Sequence, residues 1–283
     1  MKGNKSLGQH FLQSEKALSQ IIDAGDPVGD DLILEIGPGQ GVLTERLLKF
    51  AGKVIAVEKD GELCDLLKKR FANAIEKGRL DLVHGDILNF DPNLLSFYKD
   101  LGYKIIANIP YNITGAILKK FLSAEYLPET MVLLVQKEVA RRIVARDKKP
   151  LDSARGKESI LSISVKAYGK PRYVDTVKAG SFSPPPKVDS AILAIENISK
   201  EFFENMAKNN NLGVQLLSVE RGFFDLLHAG FSSKRKKLSS NLSSLLPKER
   251  VRKAFADLNM DENTRAEDVD IKTWQKLAIK LLV

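Results

Sequence analysis

The sequence predicts an α/β protein: a doubly wound, mainly parallel sheet followed by a small C-terminal all-helical domain. Three observations carry that prediction. Apolar runs of strand length alternate with segments of helical period, which implies right-handed crossovers and parallel strands. Two later apolar runs have a proline-rich connection and no helical pattern between them, which predicts an antiparallel pair at one edge of the sheet. Beyond residue 198 helical periodicity dominates, so the domains are expected at residues 1–198 and 199–283.

In chain order, buried strands are expected at LILEIG (32–37), KVIAVE (53–58), LDLVHGD (80–86), YKIIAN (103–108) and TMVLLVQ (130–136). Helices are expected at Val42–Phe50, Gly61–Ala74, Gly115–Ser123 and Lys137–Arg146. SILSISVKAY (159–168) and VDSAILAI (188–195) read as the antiparallel pair, with SFSPPPK (181–187) in the connection. The helical domain is read as Glu201–Lys208, Val214–Ala229, Leu238–Leu246, Lys248–Leu258 and Thr273–Leu282, with AKNNNLG (207–213) as a loop.

The composition, 43% hydrophobic and 28% charged over 283 residues, supplies a sizeable core. The longest apolar runs are too short to span a bilayer. The N-terminal MKGNKSLGQHFLQSEK lacks the apolar centre of a secretory signal, so a cytoplasmic protein with no membrane partner is expected. A single cysteine, Cys64, excludes an internal disulfide, and three widely separated histidines suggest no metal site. The net charge of +8 is uneven: residues 137–178 hold 12 Lys/Arg against 5 Asp/Glu, and SKRKK (233–237) is a second cluster. Two basic clusters suit a polyanion whose phosphates they neutralise; a merely solvated surface is the equal alternative.

Function is sought at the carboxyl ends of the strands, where open α/β sheets bind ligands. The first strand runs into EIGPGQG (35–41), where Gly37 and Gly39 let the backbone approach a ligand near a helix start. Val42 stands where a dinucleotide fingerprint needs its third glycine, which weakens a nicotinamide reading. The second strand ends in Glu58, a carboxylate able to accept from both hydroxyls of a ribose. The third ends in GDI (85–87), where Asp86 suits an exocyclic adenine amine and Ile87 the ring face; Asp86 also suits a helix cap. These adjacent strand ends resemble the first three motifs of the class I, Rossmann-like S-adenosylmethionine-dependent methyltransferases. The resemblance implies that fold over about residues 30–195 and S-adenosylmethionine as cofactor.

The fourth strand ends in NIPY (108–111) on the same edge. An exocyclic adenine amine is a poor nucleophile because its lone pair is shared with the ring. Acceptors on its N–H groups let the nitrogen pyramidalise. Asn108 offers one acceptor and the carbonyl of Ile109 or Pro110 the second, with Pro110 restricting the backbone. Tyr111 offers a face for the base. NIPY resembles the motif of methyltransferases that act on ring-conjugated amines, in the ribosomal RNA adenine-N6 branch.

LGQHFL (7–12) is similar to that branch's N-terminal motif, which implies that Gln9, His10 and Leu12 approach the cofactor; His10 stands where Asn is usual. FSPPPKVDSA (182–191) also matches, which implies that Phe182 packs on the target base opposite Tyr111. QKEVARRI (136–143) matches as well, whereas SARGKESILSISV (153–165) departs from the pattern and contributes no site residue. With FSSKRKKLSSNL (231–242), the chain resembles the small-subunit ribosomal RNA adenine-N6,N6 dimethyltransferase family nearly throughout. That implies a catalytic set of Asn108, Pro110, Tyr111 and Phe182. It also implies a cofactor set of Gln9, His10, Leu12, Gly37, Gly39, Glu58, Asp86, Ile87 and Asn108. The expected partner is small-subunit ribosomal RNA in a pre-ribosomal particle, met by a monomer. The alternatives are methylation of large-subunit rRNA and a non-catalytic RNA-binding assembly factor.

Overall fold

The computed structural model describes residues 9–98, 102–145, 156–209 and 216–282. Its central sheet has seven strands: β2 (Leu32–Ile36), β3 (Lys53–Glu58), β4 (Leu80–His84), β5 (Lys104–Asn108), β6 (Thr130–Gln136), β7 (Lys170–Val177) and β9 (Ser190–Glu196). They lie in the order β4-β3-β2-β5-β6-β9-β7. The first five are parallel, and β9 runs antiparallel between β6 and β7. Every residue of β2 is buried, as in a parallel strand covered on both faces. The winding reverses on either side of β2, which makes the β2–β5 carboxyl edge the topological switch point.

Helices α2 (Val42–Phe50), α3 (Gly61–Arg70), α4 (Ala72–Glu76) and α5 (Thr114–Leu122) form the crossovers, close to expectation, and α6 (Lys137–Ile143) follows β6. The N-terminal helix α1 (Glu15–Gly25) is an addition to the expected elements. Its signals are the Ser14 cap, whose side chain accepts from the Ala17 N–H, and the buried series Ala17, Leu18, Ile21 and Ile22. That face joins Leu43 and Leu47 of α2, Val54 of β3, Ile106 of β5 and Val132 of β6 in one core. Ahead of α1, the short β1 (Phe11–Leu12) pairs antiparallel with β8 (Phe182–Ser183).

One expected strand is a helix. SILSISVKAY contains α7 (Ile160–Lys166), and the true antiparallel partner of β9 is β7. The alternation of Ser with Ile and Val imitates a strand. Ser159 and Ser162 instead form a reciprocal capping box that satisfies the first turn of a helix. Tertiary packing then overrides β-branched propensity.

The chain divides into two compact units, Met1–Ala140 with Lys170–Ile198, and Arg141–Gly169 with Ser199–Val283. Residue 198/199 is one crossing between them, while segment 141–169, expected in the first domain, groups with the second unit. That unit holds α7, α8 (Glu201–Asn209), α9 (Leu216–Gly230), α10 (Leu238–Leu242), α11 (Lys248–Asp257) and α12 (Ile271–Leu282). Tyr168, Phe202, Phe203, Phe223 and Phe224 form its aromatic centre, with ring centroids 5.1–6.1 Å apart. Buried Asn241 donates to the carbonyls of Gly230 (2.6 Å) and Ser233 (3.0 Å), which ties down the loop that exposes Lys234–Lys237. The expected loop at 207–213, the end of the helix read as Lys137–Arg146, and Leu7 and Gly8 of LGQHFL fall wholly or partly outside the described residues.

Candidate active site

Four consecutive parallel strands end around one cavity of about 260 Å³ in the first unit. β2 contributes Glu35 and passes into Gly37 and Gly39. β3 ends on Glu58, and β4 leads to Asp86 and Ile87. β5 leads through Asn108 into Ile109–Ile113. Residues Gln9–Leu12 form a further wall. Of the predicted site residues, all but Phe182 line this cavity.

The β2–α2 turn has φ of +67° at Gly37 and +59° at Gly39, a left-handed conformation that costs other residues energy. A Cβ at Gly39 would also lie 3.1 Å from the Phe11 ring. The Gly39 N–H donates to Glu58 Oε2 (3.0 Å), and the Asp60 N–H donates to Glu58 Oε1 (2.9 Å). Glu58 is 5% exposed, so two backbone donors hold its carboxylate in place with lone pairs remaining for a ligand. Asp60 in turn accepts from Gln9 Nε2 (3.0 Å), which fastens the N-terminal wall to the β3–α3 turn.

Asp86 accepts from Lys59 Nζ (2.9 Å) and from the Leu88 N–H (2.9 Å). The Lys59 hydrogen bond, then that of Leu88, holds its carboxyl below the usual range. It is therefore an ionised acceptor, with Ile87 supplying buried apolar surface beside it.

Asn108 donates through Nδ2 to the His10 carbonyl (3.1 Å). That bond fixes the orientation of the amide and leaves Oδ1 as the acceptor end. Pro110, at φ −59°, opens a short turn in which its carbonyl accepts from the Ile113 N–H (3.3 Å). The Tyr111 hydroxyl is hydrogen-bonded to Ser190 Oγ, and the Tyr111 carbonyl accepts from Thr114 Oγ1 (3.0 Å). Burial pushes the Tyr111 phenol up, so it stays protonated at neutral pH. His10 donates through Nδ1 to the Pro184 carbonyl (2.7 Å), and its ring stacks with Tyr111 at 6.1 Å and 23°.

Phe182 does not line the cavity. It is 3% exposed and lies in the hydrophobic core, and the β1–β8 ladder sets it opposite Leu12. The short antiparallel pairing carries the aromatic into the sheet packing, and the ring beside Tyr111 is that of His10. Among the polar groups at the site that the sequence-based set does not contain are Glu35, Lys59 and Ser190. Each sits inside a quoted or neighbouring motif, but its surroundings are set by residues distant in the chain.

The donor set fits S-adenosylmethionine. Glu58 suits a ribose diol, Asp86 and Ile87 suit an adenine, and buried Glu35, whose Oε2 has no hydrogen-bond partner, suits a cation. Among the described residues no group of three or more His, Cys, Asp or Glu is arranged to hold a metal, and no helix is long and apolar enough to cross a membrane.

Comparison with known proteins shows which family the chain resembles. A ribosomal RNA small subunit methyltransferase A from Dehalococcoides mccartyi is 40% identical over 284 residues, covering 99% of this chain and 89% of that protein. The protein of the same name from a Nostoc species is 38% identical over 98% of this chain and 97% of its own length. A dimethyladenosine transferase from Plasmodium falciparum superposes with a TM-score of 0.74 at 29% identity, covering 95% of this chain and 96% of that one. The 23S rRNA methyltransferase ErmE has a TM-score of 0.72 over 96% of this chain and all of its own, but at 24% identity it speaks to fold alone. The family described as ribosomal RNA adenine dimethylase matches residues 1–281, so over essentially its whole length this chain is a member of that family.

Proposed function

We propose that the cavity holds S-adenosylmethionine and that the target adenine enters beside it, between Asn108 and Tyr111. The protein is an S-adenosylmethionine-dependent enzyme that dimethylates N6 of adenosines in small-subunit ribosomal RNA. The observation that carries the site reading is the meeting of four parallel strand ends in one cavity: a glycine turn, Glu58, Asp86 and Asn108.

When bound, S-adenosylmethionine supplies an electrophilic methyl group whose leaving group is a neutral thioether. The protein's task is therefore to prepare the nucleophile. Asn108 Oδ1 accepts one N–H of the adenine amine, and its own Nδ2 is anchored to the His10 carbonyl. Pro110's carbonyl already closes a turn, so the Ile109 carbonyl is the second acceptor. With both N–H groups held, the nitrogen pyramidalises and presents its lone pair. The Tyr111 ring stacks on the base, and Ser190 fixes that ring from behind. No side chain must remove the proton before methyl transfer; it leaves to water afterwards. Positioning and electrostatic complementarity supply the rate. The first product keeps one N–H, so rotation in the same slot prepares the second transfer.

The small-subunit specificity of the relatives' names directs this reading toward a small-subunit particle. A monomer acting in the cytoplasm on a pre-ribosomal particle completes it. The exposed basic loop Lys234–Lys237 suits phosphate binding, which makes the second unit the proposed RNA-gripping part. The test is Asn108→Ala, assayed with labelled donor on small-subunit particles, large-subunit particles and naked DNA. Methylation of the small-subunit substrate is expected to fall by roughly 10²–10³, as when other electrostatic stabilisers are removed from a reacting centre. Donor affinity is expected to change little. Undiminished turnover would remove Asn108 from the chemistry, and label on large-subunit particles alone would overturn the substrate.

A further inference from the structure

A flat base held for methylation has two faces to cover. Among the described residues three rings line the cavity: His10, Phe11 and Tyr111. The Phe11 ring lies against the β2–α2 turn, where a Cβ at Gly39 would be 3.1 Å from it. Phe182 sits in the hydrophobic core and off the cavity. The ring stacked beside Tyr111 is the imidazole of His10, 6.1 Å away between centroids and 23° from parallel. Stacked planar groups lie about 3.4 Å apart, as bases do along one strand, so a base held between two rings sets them about 7 Å apart. The pair is therefore within about 1 Å of the spacing that admits one base, and already close to parallel.

Both rings are held by polar atoms at their edges. The His10 Nδ1–H donates to the Pro184 carbonyl (2.7 Å), and the Tyr111 hydroxyl is hydrogen-bonded to Ser190 Oγ. The His10 backbone is fixed as well. Its carbonyl accepts from Asn108 Nδ2 (3.1 Å), Gln9 before it is bonded to Asp60, and Phe11 after it pairs with Ser183. One residue thus anchors the amide assigned to the adenine amine and carries a ring parallel to the one assigned to the base.

We propose that His10 is the second wall of the base slot: the target adenine enters between the imidazole of His10 and the ring of Tyr111. The Pro184 carbonyl keeps the imidazole in place. The inference rests on the adenine entering beside Asn108 and Tyr111, and it names the residue that covers the opposite face. Entry widens the pair by about 1 Å. A planar imidazole stacks on any base, so His10 governs affinity for the RNA and leaves the choice of amine to the acceptors around Asn108.

The test separates the ring of His10 from its hydrogen bond. His10→Phe keeps an aromatic face and loses the N–H. His10→Asn keeps an amide donor for Pro184 and loses the face, and His10→Ala loses both. Methylation kinetics on small-subunit particles are compared with the wild type, and the donor Kd is measured by calorimetry. His10→Ala and His10→Asn are expected to raise the KM for the particles by about 5- to 150-fold, the effect of losing one stacked base. His10→Phe is expected to recover most of that loss, and the donor Kd to move much less in all three. Recovery by Asn and not by Phe would overturn the proposal, because the hydrogen bond would then be what matters. An equal loss in all three, or none in any, would overturn it too. Should His10→Ala fail to fold, the Asn and Phe variants decide alone. Tyr111→Ala distinguishes the two readings. If it leaves the KM unchanged, the base does not enter here and the proposed site fails. If it raises the KM while His10→Ala does not, only the role of His10 fails.

Discussion

Single side chains in the site are held by neighbours that leave their working ends available. Asn108 shows the arrangement most clearly, because its amide nitrogen is tied to the His10 carbonyl and its oxygen remains as the acceptor end. Tyr111 is tied to Ser190 in the same way. Tyr111→Ala should raise the KM for RNA by about 5- to 150-fold, the equivalent of ~1–3 kcal/mol of base stacking, with a smaller change in donor affinity. Tyr111→Phe should retain most of the affinity, since it loses the hydroxyl and keeps the ring. Steady-state kinetics on both variants checks this. Glu35 has a separate consequence for stability. Its folded pKa lies above the ordinary 4.5, at about 8, so the folded state binds more protons than the unfolded state between those values. Stability from this group is present at low pH and is lost as pH rises through the window. Thermal unfolding of the donor-free protein should show this decline in the wild type and a flatter profile in Glu35→Gln.

Among the elements, caps and turns decide what the apolar pattern leaves open. Ser14 starts α1 by accepting the Ala17 N–H, and Ser159 starts α7 through its box with Ser162. Ser14→Ala or Ser159→Ala should each cost about 1 kcal/mol, read as a lowered midpoint in denaturant or heat. The β2–α2 turn is less forgiving. Gly39→Ala forces a Cβ into a left-handed position and against Phe11, so donor affinity should drop sharply while the sheet persists by circular dichroism. The parallel strands are legible because buried strands of this kind are continuous apolar runs. α7 is not, because its serines alternate with β-branched residues, and only the capping geometry separates that pattern from a strand.

At the scale of the whole molecule, charge and modularity matter most. Asn241 is buried in the second unit and satisfies two carbonyls of the loop that carries Lys234–Lys237. Replacing those four basic residues with alanine should weaken RNA binding across sequences. It should also flatten the salt dependence of that binding, by roughly 0.7 in the log–log slope for each phosphate that is no longer neutralised. Asn241→Ala should give a milder version of the same defect with lower stability. Filter binding over a salt series measures both. Methylation without the loop's help should survive on high concentrations of substrate, because Asn108 and the proposed donor cavity belong to the other unit.

The sequence by itself determined the alternating α/β plan, the glycine turn, the strand-end positions of Glu58, Asp86 and Asn108, and the basic loop. These are local properties: hydrophobic period, turn chemistry and residues placed at the ends of runs. Tertiary structure alone decided that Phe182 is buried, that His10 lies beside Tyr111, that β7 rather than α7 pairs with β9, and that segment 141–169 groups with the helical unit. Each depends on which distant residues meet, and spacing along the chain does not encode that meeting. Glu35 belongs to both sets: its place on β2 is plain from the apolar run, but its missing partner and shifted protonation exist only once the surrounding strands and helices exclude water.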